Sequence, residues 1–269
     1  MKIEFTKMHG AGNDFLVIFD PKKKIPRTPE TIAKLCSRNR GIGSDGLILL
    51  SRMKGGYALP FRMEFFNSDG SAAGMCGNGL RCAGLFCHNN LGAGMNVRIK
   101  TDSGILEAFI LGKEKARVAI PIKVPFKEIN LEGRKMYFGN TGVPHLVIPV
   151  KDVSKADVLG DGRKFRFHRK FAPAGTNVNF ISIPAKGPIR IRTYERGVEG
   201  ETSACGTGIT ASAAALLSFS KRKAPFEFIT ADGDILKVEF CRADNMLSTP
   251  QTAFLTGPAV EVFSGTINI

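Results

Sequence analysis

One pattern occurs twice in this chain, and it limits the fold more than any other feature. A strand-like run, a polar glycine-rich loop and a Cys-Gly-x-Gly step into a helix read MEFFNSDGSAAGMCGNGLRCAG in the first half. The second half answers with IRTYERGVEGETSACGTGITAS. Short strands resume after each helical segment, VRIKTDSGILEAFI and then FEFITADGDILKVEF, with matching hairpin turns at 101–106 and 231–236. Further strand-like runs at 16–19, 47–50, 116–120, 145–150 and 178–183 are punctuated by Gly, Pro, Asn and Asp at the spacing of antiparallel sheets. A third helix is expected at 29–37, with Thr28 as N-cap and Pro29 in its first turn.

The duplication predicts an α+β fold of two pseudo-symmetric domains, each a curved, mostly antiparallel sheet wrapped around a central helix, with the active site in the cleft between them. The expected boundary lies near Pro121. It gives 1–120 as the first domain, with strand 258–269 returning to it, and 121–257 as the second.

Charge and composition exclude some functions and leave others open. The net charge is +14, which suits acidic small molecules as well as nucleic acid. The most basic aromatic stretch, Lys164, Phe165, Arg166, Phe167, Arg169 and Lys170, alternates as a strand with one solvated face would. That reading is preferred to a nucleic-acid strip. No apolar run approaches the roughly 20 residues of a membrane span, and the N-terminal MKIEFTKMHGAGNDF has no apolar signal-peptide centre. A cytoplasmic protein without membrane or nucleic-acid partners is therefore expected. In a reducing compartment its six cysteines are thiols.

Two of those thiols stand apart. Cys36, Cys82, Cys87 and Cys241 read as small buried apolar residues. Cys76 and Cys205 each open a helix, where N–H groups and the helix dipole favour a thiolate. Each is followed by Gly, so a ligand can approach the backbone, and each is the other's counterpart in the repeat. A zinc set of Cys76, Cys82, Cys87 and His88 lacks the close Cys pairs of structural sites, so no metal is expected. The glycine-rich stretch 41–46 matches the dinucleotide fingerprint in letters, but it leads into the strand-like LILL and reads as a turn. Two opposed thiols fit proton exchange at an amino-acid α-carbon: a thiolate removes the proton from one face and a thiol returns it to the other. Helix N-termini would stabilise the charge that develops on the carboxylate. No lysine motif of the pyridoxal type is evident, so no cofactor is expected.

These motifs resemble the diaminopimelate epimerases, two-cysteine enzymes of lysine and peptidoglycan precursor biosynthesis that work without pyridoxal phosphate. The matching stretches are KMHGAGNDF at 7–15, FNSDGS at 66–71, MCGNGLRC at 75–82, TNVNF at 176–180, YERG at 194–197 and ACGTG at 204–208. The related proline racemases typically carry His where this chain has Asn78.

The resemblance implies that Cys76 and Cys205 are the acid and base. Gly77, Asn78, Gly206 and Thr207 would bind the reacting carboxylate through helix-terminal N–H groups, and Asn13, Asn67 and Asn177 would hold substrate ammonium or carboxylate groups. Arg196 would pair with the distal carboxylate, Glu195 would accept from an ammonium, and His145 with Glu195 would set the thiols' protonation. The partner is a small amino-acid substrate, with a homodimer as the candidate assembly. In two places the sequence departs from the pattern: Gly46 stands where many members have Gln, and Val143 where many have Asn. These keep a racemase of another amino acid as the alternative, with a basic nucleic-acid-binding protein as the contrast from another class.

Overall fold

The structure, a computed structural model, describes residues 1–53, 60–74, 76–240 and 252–269. Cys241 and Met75 lie outside the described residues. The chain divides into two compact units, Met1–Val118 with Gly257–Ile269, and Ala119–Thr256.

The first unit begins with the antiparallel pair β1 (Lys2–Gly10) and β2 (Asn13–Phe19). Helix α1 (Pro29–Cys36) crosses over to β3 (Gly46–Arg52), which runs parallel to β2. The antiparallel β4 (Phe61–Asn67) and the short β5 (Ala72–Ala73) lead into α2 (Gly77–Leu91). Strand β6 (Asn96–Thr101) then returns parallel to β4, and β7 (Gly104–Gly112) and β8 (Lys115–Pro121) follow as hairpins.

The second unit repeats this order with an outer strand in front. Strand β9 (Val124–Leu131) pairs with β10 (Arg134–Asn140), and β10 pairs with β11 (Pro144–Pro149). A crossover containing α3 (Gly160–Arg166) leads to the parallel β12 (Asn177–Ser182). Then come β13 (Ile189–Glu195), β14 (Gly200–Thr202), α4 (Gly206–Phe219), β15 (Phe226–Ile229), β16 (Ile235–Phe240) and β17 (Thr252–Pro258). Strand β18 (Val260–Asn268) lies antiparallel to β1, as β9 does to β10. The α+β expectation holds, and the repeat extends well beyond the two loops that disclosed it.

Each unit is layered around its sheet. Leu16, Ile18, Leu47, Leu49 and Phe66 pack with Ile32 and Leu35 of α1 on one face. The matching face of the second unit gathers Leu146, Ile148, Val178, Phe180 and Tyr194 against Phe165 of α3. The opposite faces hold the central helices. Every residue of α2 from Gly77 to Cys87 is buried, under contacts from β1, β2, β3, β6 and β7. Every residue of α4 from Gly206 to Leu216 is buried as well. The enclosure is close: a Cβ at Gly84 would come 2.4 Å from the Cβ of Ala108 on β7.

In one place the chain departs from expectation. The stretch Lys164–Lys170 is the end of α3 followed by a 3-10 turn, Arg169–Phe171, and not a strand. Asp157 accepts from the Gly160 N–H at 2.8 Å ahead of the helix, and Asp161 in its first turn with Arg163, Lys164 and Arg166 in its last complements the dipole. Phe165 is buried while Phe167 stays exposed beneath the guanidinium groups of Arg163 and Arg166. Beyond the α4 C-cap Ser220, Arg222 donates to the carbonyls of Gly187 and Pro184. The helix expected at 29–37 is present as α1, with the Thr28 hydroxyl accepting from the Thr31 N–H.

Gly84→Val should destabilise the protein by about 1–3 kcal/mol, because α2 cannot move away from β7 without opening the core around it. Urea denaturation measures this, and an unchanged midpoint would contradict the close packing.

Candidate active site

In the first unit Cys76 is the N-cap of α2. Its backbone is extended (φ −138°, ψ 118°), and its sulfur accepts from the Gly79 N–H at 3.4 Å. A sulfur accepting at a helix start sits where N–H groups and dipole favour negative charge. Asn13, at the start of β2, is oriented by a carboxylate: its Nδ2 donates to Asp45 Oδ2 at 2.8 Å. Its Oδ1 therefore faces Asn78 Nδ2 at 3.3 Å and the Cys76 thiol at 3.9 Å. The fully buried Arg81 holds Asn78 from behind, donating to its Oδ1 at 3.0 Å and to the Pro258 carbonyl at 3.1 Å. The structure thus brings Cys76, Gly77, Asn78 and Asn13 together. Asn67, at the end of β4, donates to Ser71 at 2.9 Å in the turn before the helix.

In the second unit Cys205 is the N-cap of α4, also extended (φ −108°, ψ 103°). Its sulfur meets the hydroxyl of Thr207 at 3.4 Å rather than a backbone N–H. Thr141 fixes the same turn by donating to the Thr207 carbonyl at 3.1 Å. The first N–H groups of each helix, those of Gly77 and Asn78 and of Gly206 and Thr207, have no intrahelical acceptor. Asn177 braces the start of β12, accepting from the Arg196 N–H at 2.8 Å and donating to the Pro144 carbonyl at 3.2 Å. Glu195 accepts from the Thr202 hydroxyl at 2.9 Å. His145 pairs in register with Asn177 on the neighbouring strand and is fully buried.

The electrostatics separate the thiols and fix the histidine. Burial pushes the Cys82 and Cys87 thiols up to about 12, so neither ionises near neutrality. Burial also lowers His145 to about 3, with the positive charge of Arg196 adding to it, so the ring is neutral. Burial alone would raise Asp14, but hydrogen bonds from Arg38 and Lys7 hold its carboxyl below the ordinary range. That keeps a charged scaffold beside Asn13, with Arg38 bridging Asp14 and Asp45.

Several residues of the site were not identified from the sequence. Asp45 lay in the stretch read as a turn, and Arg81 and Asn179 lay unremarked inside the quoted motifs. The second glycine of each Cys-Gly-x-Gly has a packing cause: a Cβ at Gly79 would come 3.2 Å from Ile48, and one at Gly208 would come 2.2 Å from Asn179 Oδ1. Gly46 is also explained. A Cβ there would lie 2.7 Å from the Phe66 carbonyl oxygen and 2.7 Å from the Phe65 ring, so β4 leaves no room for a side chain.

A family model described as diaminopimelate epimerase matches residues 5–122 and 137–262. Among relatives, the diaminopimelate epimerase of Aquifex aeolicus (strain VF5) is 40% identical over 99% of this chain and 98% of its own length. That of Archaeoglobus fulgidus is 38% identical over 100% and 98%. Among solved structures, a probable proline racemase from Agrobacterium radiobacter K84 shares the fold at a TM-score of 0.73 and 18% identity, covering 99% of this chain and 93% of that one. A Bacillus anthracis phenazine biosynthesis protein of the PhzF family does so at 0.73 and 16%, covering 100% of each.

The neutral His145 predicts an acid-side loss of stability. Unfolded, its ring takes a proton below about pH 6.5; folded, it does so only near 3. Between these values the unfolded state binds more protons, so stability falls as pH falls, by up to about 1.4 kcal/mol per unit from this group. Chemical denaturation from pH 7 to 4 should give His145→Asn a shallower slope than the parent; equal slopes would refute the assignment.

Proposed function

This chain belongs to the diaminopimelate epimerase family and is an isomerase, and we propose that it interconverts LL- and meso-diaminopimelate by passing protons through the sulfurs of Cys76 and Cys205. One observation carries the reading: each unit places a thiol at the extended N-cap of an enclosed helix, at equivalent positions of a repeat. The thiolate removes the α-proton and becomes a thiol. The other thiol gives its proton to the opposite face of the α-carbon and becomes the thiolate. The substrate leaves inverted, with the protonation of the two sulfurs exchanged, and the reverse reaction restores it.

The carbanion's charge passes into the α-carboxylate. The first-turn N–H groups at Gly77, Asn78, Gly206 and Thr207 are the donors suited to take it, since they are held in place before the charge develops. In this reading no cofactor is needed. Asn13 and Asn67 hold polar groups of the substrate from the first unit. Asn177 and Glu195 do so from the second, and Arg196 offers the distal carboxylate a two-pronged donor. The reduced thiols and this chemistry suit a cytoplasmic enzyme of lysine and peptidoglycan precursor supply. No helix of the described residues is long and apolar enough to cross a membrane.

A second reading, a racemase of another amino acid on the same scaffold, is favoured by Gly46 and Val143. The first is held to glycine by β4, and the second offers no side-chain donor.

In heavy water, wild-type turnover of LL-diaminopimelate should place deuterium at the inverted α-carbon. Cys76→Ala and Cys205→Ala should each lower epimerisation by roughly 10²–10⁴-fold. Normal exchange and epimerisation in either variant would end the two-thiol reading. Chiral chromatography of a panel of amino acids separates the two substrates: turnover of diaminopimelate alone removes the second reading.

A further inference from the structure

The repeat allows a position-by-position comparison of the two helix starts. Gly79 packs on Ile48 of β3 and Gly208 on Asn179 of β12, which makes these residues equivalent. Phe15 pairs with Gly46 as His145 pairs with Asn177. Counted from these registers, Asn13 corresponds to Val143, Asp45 to Thr176, Asn78 to Thr207 and Arg81 to Thr210. The first unit thus has a carboxylate, two amides and a guanidinium where the second has an apolar residue and three threonines. Two of those threonines turn to their own backbone, Thr176 donating to the Asn177 carbonyl at 2.9 Å and Thr210 to that of Gly206 at 3.0 Å. The polar layer of the second unit lies on its strands instead, where Asn179 Nδ2 meets His145 Nδ1 at 3.1 Å.

In the first unit the four side chains form a row in which every hydrogen bond has a fixed direction. A guanidinium only donates, and Arg81 donates to Asn78 Oδ1 at 3.0 Å, so Asn78 turns its Nδ2 away from Arg81. That Nδ2 donates to Asn13 Oδ1 at 3.3 Å. From the other end, the Asp45 carboxylate, paired with Arg38, only accepts, and it takes Asn13 Nδ2 at 2.8 Å. The two ends agree on both amides, since turning either one over would set like atoms against each other. Arg81 and Asn78 are buried, and a Cβ at Gly10 would come 3.2 Å from Arg81 Nη2 and 3.3 Å from the Asn78 Cβ, so β1 closes on this end of the row. The row leaves Asn13 Oδ1 facing the Cys76 thiol at 3.9 Å, while the Gly79 N–H faces the same sulfur at 3.4 Å. The sulfur therefore has both a fixed donor and a fixed acceptor. The N–H suits its thiolate and the oxygen its thiol.

We propose that Asp45 is a positioning residue for epimerisation: by holding the Asn13 amide it keeps an oxygen, and not an N–H group, turned toward the Cys76 sulfur. The inference rests on the two-thiol reading. There the same sulfur takes a proton in one direction of reaction and gives it in the other, so neither of its forms can be held much more firmly than the other. With Asn13 turned over, the thiolate would meet a second N–H donor and the thiol would lose its acceptor, and the sulfur would be a poorer base. Arg81 orients Asn78, and Asp45 supplies the acceptor for Asn13 Nδ2. Cys205 meets the Thr207 hydroxyl instead, a group that donates or accepts by rotation and serves either form without an anchor.

Alkylation of the full-length protein by iodoacetamide at neutral pH, followed by peptide mass mapping, reads each sulfur separately, because the thiolate is the reacting form. Asp45→Leu should raise the alkylation rate of Cys76 by roughly threefold or more, since its thiol has lost an acceptor. It should lower kcat for LL-diaminopimelate by roughly tenfold, the factor that one hydrogen bond carries. Cys205 should react as in the wild type, and the buried Cys82 and Cys87 should stay unreacted, whereas a general loosening of the unit would expose both. Asp45→Asn keeps an oxygen for Asn13 and removes only a half-exposed charge, so it should stay within about twofold of the wild type in both measurements. If Asp45→Leu does not fold, Asp45→Ser, too short to reach Asn13, carries the same expectation. Wild-type kcat and Cys76 reactivity in Asp45→Leu, or equal losses in Asp45→Asn and Asp45→Leu, would overturn the proposal. Cys76→Ala and Cys205→Ala tell the two failures apart. If they abolish deuterium exchange while Asp45→Leu turns over normally, only this inference falls; if they retain exchange, the reading beneath it falls.

Discussion

Helix α2 is buried from Gly77 to Cys87 and α4 from Gly206 to Leu216, and this enclosure governs the rest of each unit. A helix without a solvent face can offer polar groups only at its ends. Its N-terminus is the end where N–H groups lack acceptors and the dipole is positive. The residue before that turn is thus the place where a thiol gains acidity from the fold. The same enclosure drives Cys82 and Cys87, farther along α2, to the opposite extreme. Cys76 lies at the end of that enclosure, as the N-cap of α2, and Cys82 and Cys87 lie inside it.

The enclosure also accounts for the glycines. Gly84 lets β7 approach α2, Gly79 and Gly208 let the first turns settle on Ile48 and Asn179, and Gly46 lets β4 close against β3. Gly79, Gly84 and Gly208 fall within the repeated motif, so a packing requirement and a chemical one are written in the same letters. The second glycine of Cys-Gly-x-Gly belongs mainly to the packing.

Duplication gave both units one scaffold, and divergence gave them different electrostatics. Around Cys76 the groups are a buried guanidinium, an oriented asparagine pair and a carboxylate held charged by Arg38 and Lys7. Around Cys205 they are a threonine hydroxyl and, beneath the helix, a neutral imidazole in a polar layer. Two equivalent sulfurs in unlike surroundings suit a reaction in which one must be charged while the other is not.

Much of this was legible in the sequence because it is local. The strands at 61–66 and 189–195, both Cys-Gly-x-Gly starts and the α1 cap at Thr28 follow from periodicity and from residue types that serve one local purpose. Lys164–Lys170 misled because a short helix with buried Phe165 and exposed Phe167 alternates as a strand does. Asp45 escaped because its role is to orient Asn13, a residue distant in the chain. Asn179 escaped because an asparagine in a strand shows its function only through what crosses the sheet to meet it. The sequence by itself determined the repeat, the α+β class and the two thiols that open the central helices. Only the tertiary structure decided which amide faces which sulfur and which amide meets the ring of His145. Those choices depend on hydrogen-bond partners set by register between strands, and register is a property of the folded sheet.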